Sequence, residues 1–120
     1  MSKGDDIQER LVDFAVRIIK VCNHLPDTTA GRHIAHQLMR SGTSAAPNYA
    51  EARSAESKRD FVHKLKICLK ELNETEVWLQ IIARGDMLHV SSLSEVVREC
   101  NELCRIMNAS IKTSLSTKQN

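Results

Sequence analysis

The clearest fold signal lies in residues 48–80, NYAEARSAESKRDFVHKLKICLKELNETEVWLQ. Side chains suited to a helix core recur there in alternating steps of four and three residues, which places them along one helix face. Arg59, His63, Lys66 and Lys70 follow the same spacing on the opposite face. The segment therefore predicts a long helix with an apolar front and a basic back. The front is formed by Phe61, Leu65, Cys68, Leu72, Thr75, Leu79 and Ile82.

Length and composition favour one all-α domain. The chain has 120 residues with four glycines and two prolines, and its β-branched residues follow helical rather than alternating spacing. Four helices fit this length, and we expect a single domain over residues 1–112 whose core needs no disulfide or metal. Residues 113–120 have little apolar content and are predicted to be a disordered tail.

Capping signals mark the expected helix starts. Helix one is predicted over residues 6–23, and Pro26 lies in the turn that ends it. Helix three is predicted from Ser57 to about residue 84, where Gly85 supplies a turn, and helix four follows. Asp5 or Asp6 lies near the start of helix one. The candidate N-terminal caps of the later helices are, in chain order, Thr28 or Thr29, Ser57, and Ser91, Ser92 or Ser94.

Helix two contains an irregularity near Pro47. Proline lacks an amide donor, and its ring clashes with the carbonyl four residues earlier, so a kink or a break is expected there. Three polar side chains, Ser41, Asn48 and Glu51, lie close to this proline in the sequence. We expect them either to form an internal polar network or only to fix helix register, the best-attested role of buried polar groups.

The charge of the chain is unevenly distributed. Residues 31–70 hold eight basic and three acidic side chains, a net of +5, whereas acidic residues outnumber basic ones on both flanks. A positive surface patch is therefore expected. The polar N-terminal stretch argues against a signal peptide, and no apolar run approaches the roughly 20 residues that span a bilayer. We expect a soluble, cytoplasmic protein without a membrane partner.

The basic back of helix three suggests phosphate binding without base recognition. We expect Arg32, His36 and Arg40 of helix two to join it. Base stacking is not expected, because the few aromatic residues resemble core or interface positions. The alternative is an ordinary solvated helix surface, which most runs of charge are. The candidate nucleic-acid-binding residues are Arg59, Lys66, Lys70, Lys58, Arg32, His63 and Arg40.

Known signatures of catalysis and metal binding are missing from the sequence. Glu51, Glu71 and Glu74 lack the Glu-x-x-His pairs that bind iron in helix bundles. No zinc-protease motif, nucleophile elbow or phosphate-binding glycine loop occurs. Cys100 and Cys104 lie one helical turn apart without a histidine at ligand spacing, so the cysteines are expected to pack in the core. We expect no enzyme activity, metal or cofactor.

Trp78, Ile67 and Ile81 widen the apolar surface of helix three beyond its seam. One interpretation is a subunit interface, because a monomeric bundle would leave this second apolar surface in water. The other interpretation is burial against a neighbouring helix of the same chain. The first predicts that replacing Trp78 by alanine weakens assembly.

A set of short motifs covers much of residues 40–79. The motifs are Arg40-Ser41, Thr43-Ser44, Asn48-Tyr49, Glu51-Ala52, Asp60-Phe61, His63-Lys64-Leu65, Lys70-Glu71, Glu74-Thr75 and Trp78-Leu79. Together they resemble the four helix bundle protein family, also called ribosomal RNA intervening-sequence proteins. The chain departs from a common family form at Ala45 and Ala46, which separate Ser44 from Pro47.

This resemblance implies a bacterial, up-and-down antiparallel four-helix bundle that assembles into a homopentamer. It also implies kinship with accessory proteins of diversity-generating retroelements, which work with a reverse transcriptase and nucleic acid. The leading hypothesis is a non-enzymatic homo-oligomer that binds RNA or DNA non-specifically through a repeated basic surface. The competing hypothesis is a protein-interaction scaffold, or an accessory subunit of a nucleic-acid enzyme, that does not itself bind nucleic acid.

Overall fold

The computed structural model describes residues 2–117, over which the chain forms five helices and no strand. Both α2 and α3 pack against α1 and α4, so together they make one rod of a four-rod bundle, and α5 packs against α1 and α4. Short turns after α1, α3 and α4 reverse the chain and make neighbouring rods antiparallel. The predicted all-α, up-and-down four-helix bundle is confirmed. The helices are α1 (Lys3–Asn23), α2 (Thr29–Gly42), α3 (Ala45–Arg53), α4 (Lys58–Arg84) and α5 (Val90–Ser116).

The irregularity expected near Pro47 is a break two residues long. Thr43 and Ser44 separate α2 from α3. Pro47 is the third residue of α3, and amides in the first turn of a helix have no partner within it, so the missing donor costs nothing there. The break therefore precedes the proline instead of coinciding with it.

Side-chain caps begin most of the helices. Thr28 and Ser57, both predicted, accept hydrogen bonds from backbone amides in the first turns of α2 and α4. Asp5 and Asp6 both lie in the first turn of α1, as predicted, and Ser2 caps this helix by forming a reciprocal capping box with Asp5. The cap predicted for α5 needs correction. None of the three candidate serines caps α5, because His89 Nδ1 accepts a bond from the amide of Ser91.

The predicted apolar stripes line the centre of the bundle. Leu65, Leu72 and Leu79 of α4 are fully buried and belong to one core with the facing residues of the other rods. At the start of α4 the prediction was wrong by one residue: Val62 is buried, whereas Phe61 is half-buried and only packs against the core.

The C-terminal helix is longer than predicted. Residues 113–120 were expected to be disordered, yet α5 continues to Ser116, and residues 118–120 lie outside the described part of the chain. The bundle is an elongated rod of 55 × 24 × 22 Å. Within residues 2–117, no helix combines the length and the apolar character that a bilayer crossing requires.

Candidate nucleic-acid interface

Four exposed basic side chains form a row, the cationic row, along the outer face of α4. Arg59, His63, Lys66 and Lys70 are all exposed, while the intervening Leu65 faces the core. None of the four makes an ion pair with an acidic side chain of residues 2–117. The row begins in the first turn of α4, where the helix dipole adds positive potential. Its charge is therefore available to an external anion.

A shallow cavity lies at the N-terminal end of this row, between α4 and α5. Its volume is about 510 Å³. The apolar part of its wall is formed by Val62 of α4 and by Leu115 of α5, whose residue surface is 61% exposed. The Lys58 ammonium donates a hydrogen bond of 2.6 Å to the Thr117 carbonyl oxygen and so joins the two helix ends. We call this cavity, lined by Lys58, Arg59, Val62, His63, Lys66 and Leu115, the α4–α5 pocket.

Two cations predicted to join the basic surface are neutralised elsewhere. Arg32 is paired with Asp27 at 2.7 Å, and Arg40 lies between Glu71 and Glu74 of α4. Arg32 and Arg40 therefore do not belong to the free cationic row.

The polar residues predicted as one internal network are separated in the structure. Ser41 is fully buried, and the Thr75 hydroxyl donates to its Oγ at 2.9 Å. Asn48 Nδ2 donates to the Ser44 carbonyl oxygen at 2.9 Å. Glu51 is exposed and accepts a hydrogen bond of 2.6 Å from Lys64, which raises the pKa of that lysine. The buried polar pair is thus Ser41 with Thr75, a residue that the sequence pattern assigned to the apolar seam.

Trp78 packs partly against the core of its own chain. Its ring is half-buried against the core and lies edge-on to the ring of His33, with centroids 6.1 Å apart. The indole nitrogen donates to Glu74 at 3.0 Å. Ile67 is also half-buried, whereas Ile81 is exposed beside Val77, the exposed residue four positions earlier. The outward apolar surface of α4 is therefore centred on Ile81 rather than on Trp78.

A second exposed apolar stripe lies on α1 and was not predicted. Val12, Val16 and Ile19 follow one another at steps of four and three, to one side of the buried stripe. The same spacing rule that located the core could have found it. Because α1 and α4 are not neighbouring rods, the bundle carries separate apolar surfaces on two of its rods.

The thiols have different environments. Cys22, Cys68 and Cys100 are buried, and burial raises the pKa of Cys22 to about 11 and that of Cys68 to about 12. Cys104 is half-buried, and a hydrogen bond from Cys100 holds its pKa below the usual value for a thiol. Among residues 2–117, no three histidine, cysteine or carboxylate side chains cluster as metal ligands would.

These features define a class of protein: an antiparallel helical bundle that carries, on one face, a cationic row without acidic partners in the described part of the chain. The model of the family described as 23S rRNA-intervening sequence protein matches residues 5–109, and the chain belongs to this family. A similar solved structure is a protein of unknown function from the S23 ribosomal protein family of Bacteroides thetaiotaomicron. The two are 32% identical, the match covers 92% of this chain and 99% of the other, and the TM-score is 0.85. Among curated proteins, no sequence matches this chain.

Proposed function

We propose that this protein is a non-enzymatic homo-oligomer that binds RNA or DNA without sequence specificity. The binding surface is the cationic row of α4, with Arg59, Lys66 and Lys70 as its main contacts and with Lys58 and His63 in support. The observation that carries the proposal is that the row has no acidic partner within residues 2–117. Phosphate contacts of this kind provide affinity and position without reading bases.

Oligomerisation is part of this proposal because one row offers few contacts. Copies of the row held in one particle raise the effective concentration of cations around a long polyanion and so strengthen weak contacts. The exposed surface around Ile81 and the separate stripe of Val12, Val16 and Ile19 support self-association, since each leaves apolar area in water. A homopentamer is the assembly that the family resemblance favours.

The binding test compares two triple variants with the same change in charge. Arg59→Glu/Lys66→Glu/Lys70→Glu reverses the row, while Lys20→Glu/Arg98→Glu/Lys112→Glu changes exposed cations outside it. Fluorescence anisotropy with RNA and DNA oligonucleotides measures binding at about 50 and 200 mM salt.

We expect wild-type binding to weaken steeply as salt rises. The logarithm of the association constant should fall by about 0.9 for each tenfold rise in salt concentration, for every duplex phosphate contacted. The row variant should lose binding, and the control should retain most of it. Undiminished binding by a correctly assembled row variant would contradict the proposal.

Assembly is tested separately by size-exclusion chromatography with light scattering. A pentamer of the 13.5 kDa chain has five times that mass. Ile81→Lys places a charge in the outer apolar surface of α4 and should reduce the measured mass, whereas Val90→Lys at the exposed start of α5 should not. A wild-type protein that elutes as a monomer would contradict the oligomer.

A protein-interaction scaffold is the second candidate function. The exposed stripe of α1 favours it, because apolar surface of this kind suits a protein partner better than a nucleic acid. The partner class expected from the resemblance is an enzyme that acts on nucleic acid. Binding of this type survives nuclease treatment and high salt, so both treatments during a pull-down separate the two candidates.

A further inference from the structure

We propose that the α4–α5 pocket receives an unpaired base, so that the preferred ligand of the cationic row is single-stranded nucleic acid. This inference rests on the proposed function and specifies the strand form of its ligand. It starts from two features that adjoin each other: basic side chains that have no acidic partner within residues 2–117, and an exposed apolar wall between them.

The apolar wall is not explained by phosphate binding alone. Leu115 is 61% exposed although cations surround it, and Val62 continues the wall towards the core. A ligand that contacts only the cations leaves this leucine in water. A ligand with a flat apolar face next to a negative charge covers both features at once.

Unpaired nucleotides have this combination of groups, and duplexes do not. In a duplex the base faces are stacked inside, so the outside presents phosphates and the edges of bases in grooves. In a single strand the base faces are free and commonly pack on protein side chains while a positive groove follows the backbone. The pocket volume of about 510 Å³ is within the range of small-molecule sites, so a base with its sugar fits.

Charge complementarity decides between this ligand and an apolar protein segment. Arg59, His63 and Lys66 surround the pocket without acidic partners in the described chain. The Arg59 guanidinium and the Lys66 ammonium groups favour a chain with a negative charge on each nucleotide, and the Arg59 guanidinium can also stack on a base. No aromatic residue lines the pocket, so each base contact is weaker than on an aromatic platform.

The test changes the apolar wall without changing charge. Leu115→Ser removes the exposed part of this wall. Val90→Ser is the matched control because Val90 is 62% exposed at the opposite end of the same helix. Fluorescence anisotropy at constant salt compares a 20-nucleotide single strand of mixed sequence with the duplex of that sequence. Helical content is checked by circular dichroism.

We expect Leu115→Ser to weaken single-strand binding about three- to tenfold, to change duplex binding less than about twofold, and to leave helical content unchanged. The control should alter neither affinity. A second variant, Leu115→Trp, should strengthen single-strand binding, because an aromatic side chain provides a stacking surface.

Three outcomes would overturn the inference. Equal effects of Leu115→Ser on both strand forms, or no effect on either, would show that the wall does not contact bases. Displacement of the single strand by polyglutamate at an equal concentration of charge would assign the pocket to an acidic peptide. Absence of wild-type binding to both strand forms would refute the proposed function itself, which is a distinguishable result.

Discussion

The buried hydroxyl pair between α2 and α4 allows a quantitative prediction. Thr75 Oγ1 lies 2.9 Å from Ser41 Oγ and 2.8 Å from the carbonyl oxygen of Glu71. Ser41 Oγ also lies 3.4 Å from the carbonyl oxygen of Leu38. Each hydroxyl thus has one partner across the interface and one in its own helix. Replacing either leaves the other a local acceptor, so no donor is left wholly unpaired.

We therefore expect modest single losses and a clear coupling. Thr75→Val, which keeps the shape of the side chain, should lower the free energy of unfolding by about 1–2 kcal/mol, and Ser41→Ala by about 1 kcal/mol. The double variant should lose about 1 kcal/mol less free energy of unfolding than the sum of the two single losses, because the shared hydrogen bond is lost only once.

Urea unfolding followed by circular dichroism measures these values, with linear extrapolation to water and a fixed protein concentration. Thr43→Val is the control, since the Thr43 hydroxyl donates only to the carbonyl oxygen of Met39 in the preceding helix α2, at 2.7 Å. Single effects of Thr75→Val and Ser41→Ala that add to within about 0.3 kcal/mol would refute the cross-helix hydrogen bond as a stabilising contact.

Two further predictions concern a thiol and a glycine. Burial raises the pKa of Cys68 to about 12, whereas the pKa of Cys104 lies below the usual value for a thiol, so at pH 8 Cys104 should react with a disulfide reagent much faster than Cys68. Cys104→Ser should remove the fast phase, and a fast phase that persists would contradict this. Gly42→Ala should lower the thermal unfolding midpoint, because the added Cβ would lie 2.5 Å from Cγ2 of Ile18; an unchanged midpoint would show that α1 and α2 separate without cost.

Regular spacing made most of the fold predictable. The seam of α4 was located because its residues recur with the helical period over about six turns, and the core positions of α1 follow the same rule. The error at Phe61 has a geometric cause. Val62 is turned towards α5 and lines the pocket with Leu115. The pattern of one helix does not show how much of its circumference the neighbouring helices cover.

The break in the second rod was only partly predictable. Proline signals an irregularity, but the chain avoids the clash by starting a new helix two residues before Pro47. Close contact between Gly42 and Ile18 shows how closely α2 approaches α1 just before the break. That approach depends on tertiary packing, which local sequence does not specify.

The part of the candidate site that lies on one helix was predicted. The part that is formed by two helices was missed. The cationic row follows from the spacing within α4, whereas the pairing of Arg40 with Glu71 and Glu74 depends on how α2 packs against α4. Leu115 belongs to a segment predicted to be disordered, so the apolar wall of the α4–α5 pocket was not foreseen. Sites assembled from distant segments require the three-dimensional arrangement.

The short turns of the bundle have a kinetic consequence. Each reversal of the chain takes four or five residues, namely 24–28, 54–57 and 85–89. Helices that are consecutive in the chain therefore meet after closing only small loops, and small loops cost little entropy to form. Proteins dominated by such local contacts fold in microseconds to milliseconds. We accordingly expect the individual chain to fold much faster than copies meet at micromolar concentration, so that association of folded chains, rather than folding, limits the rate of assembly.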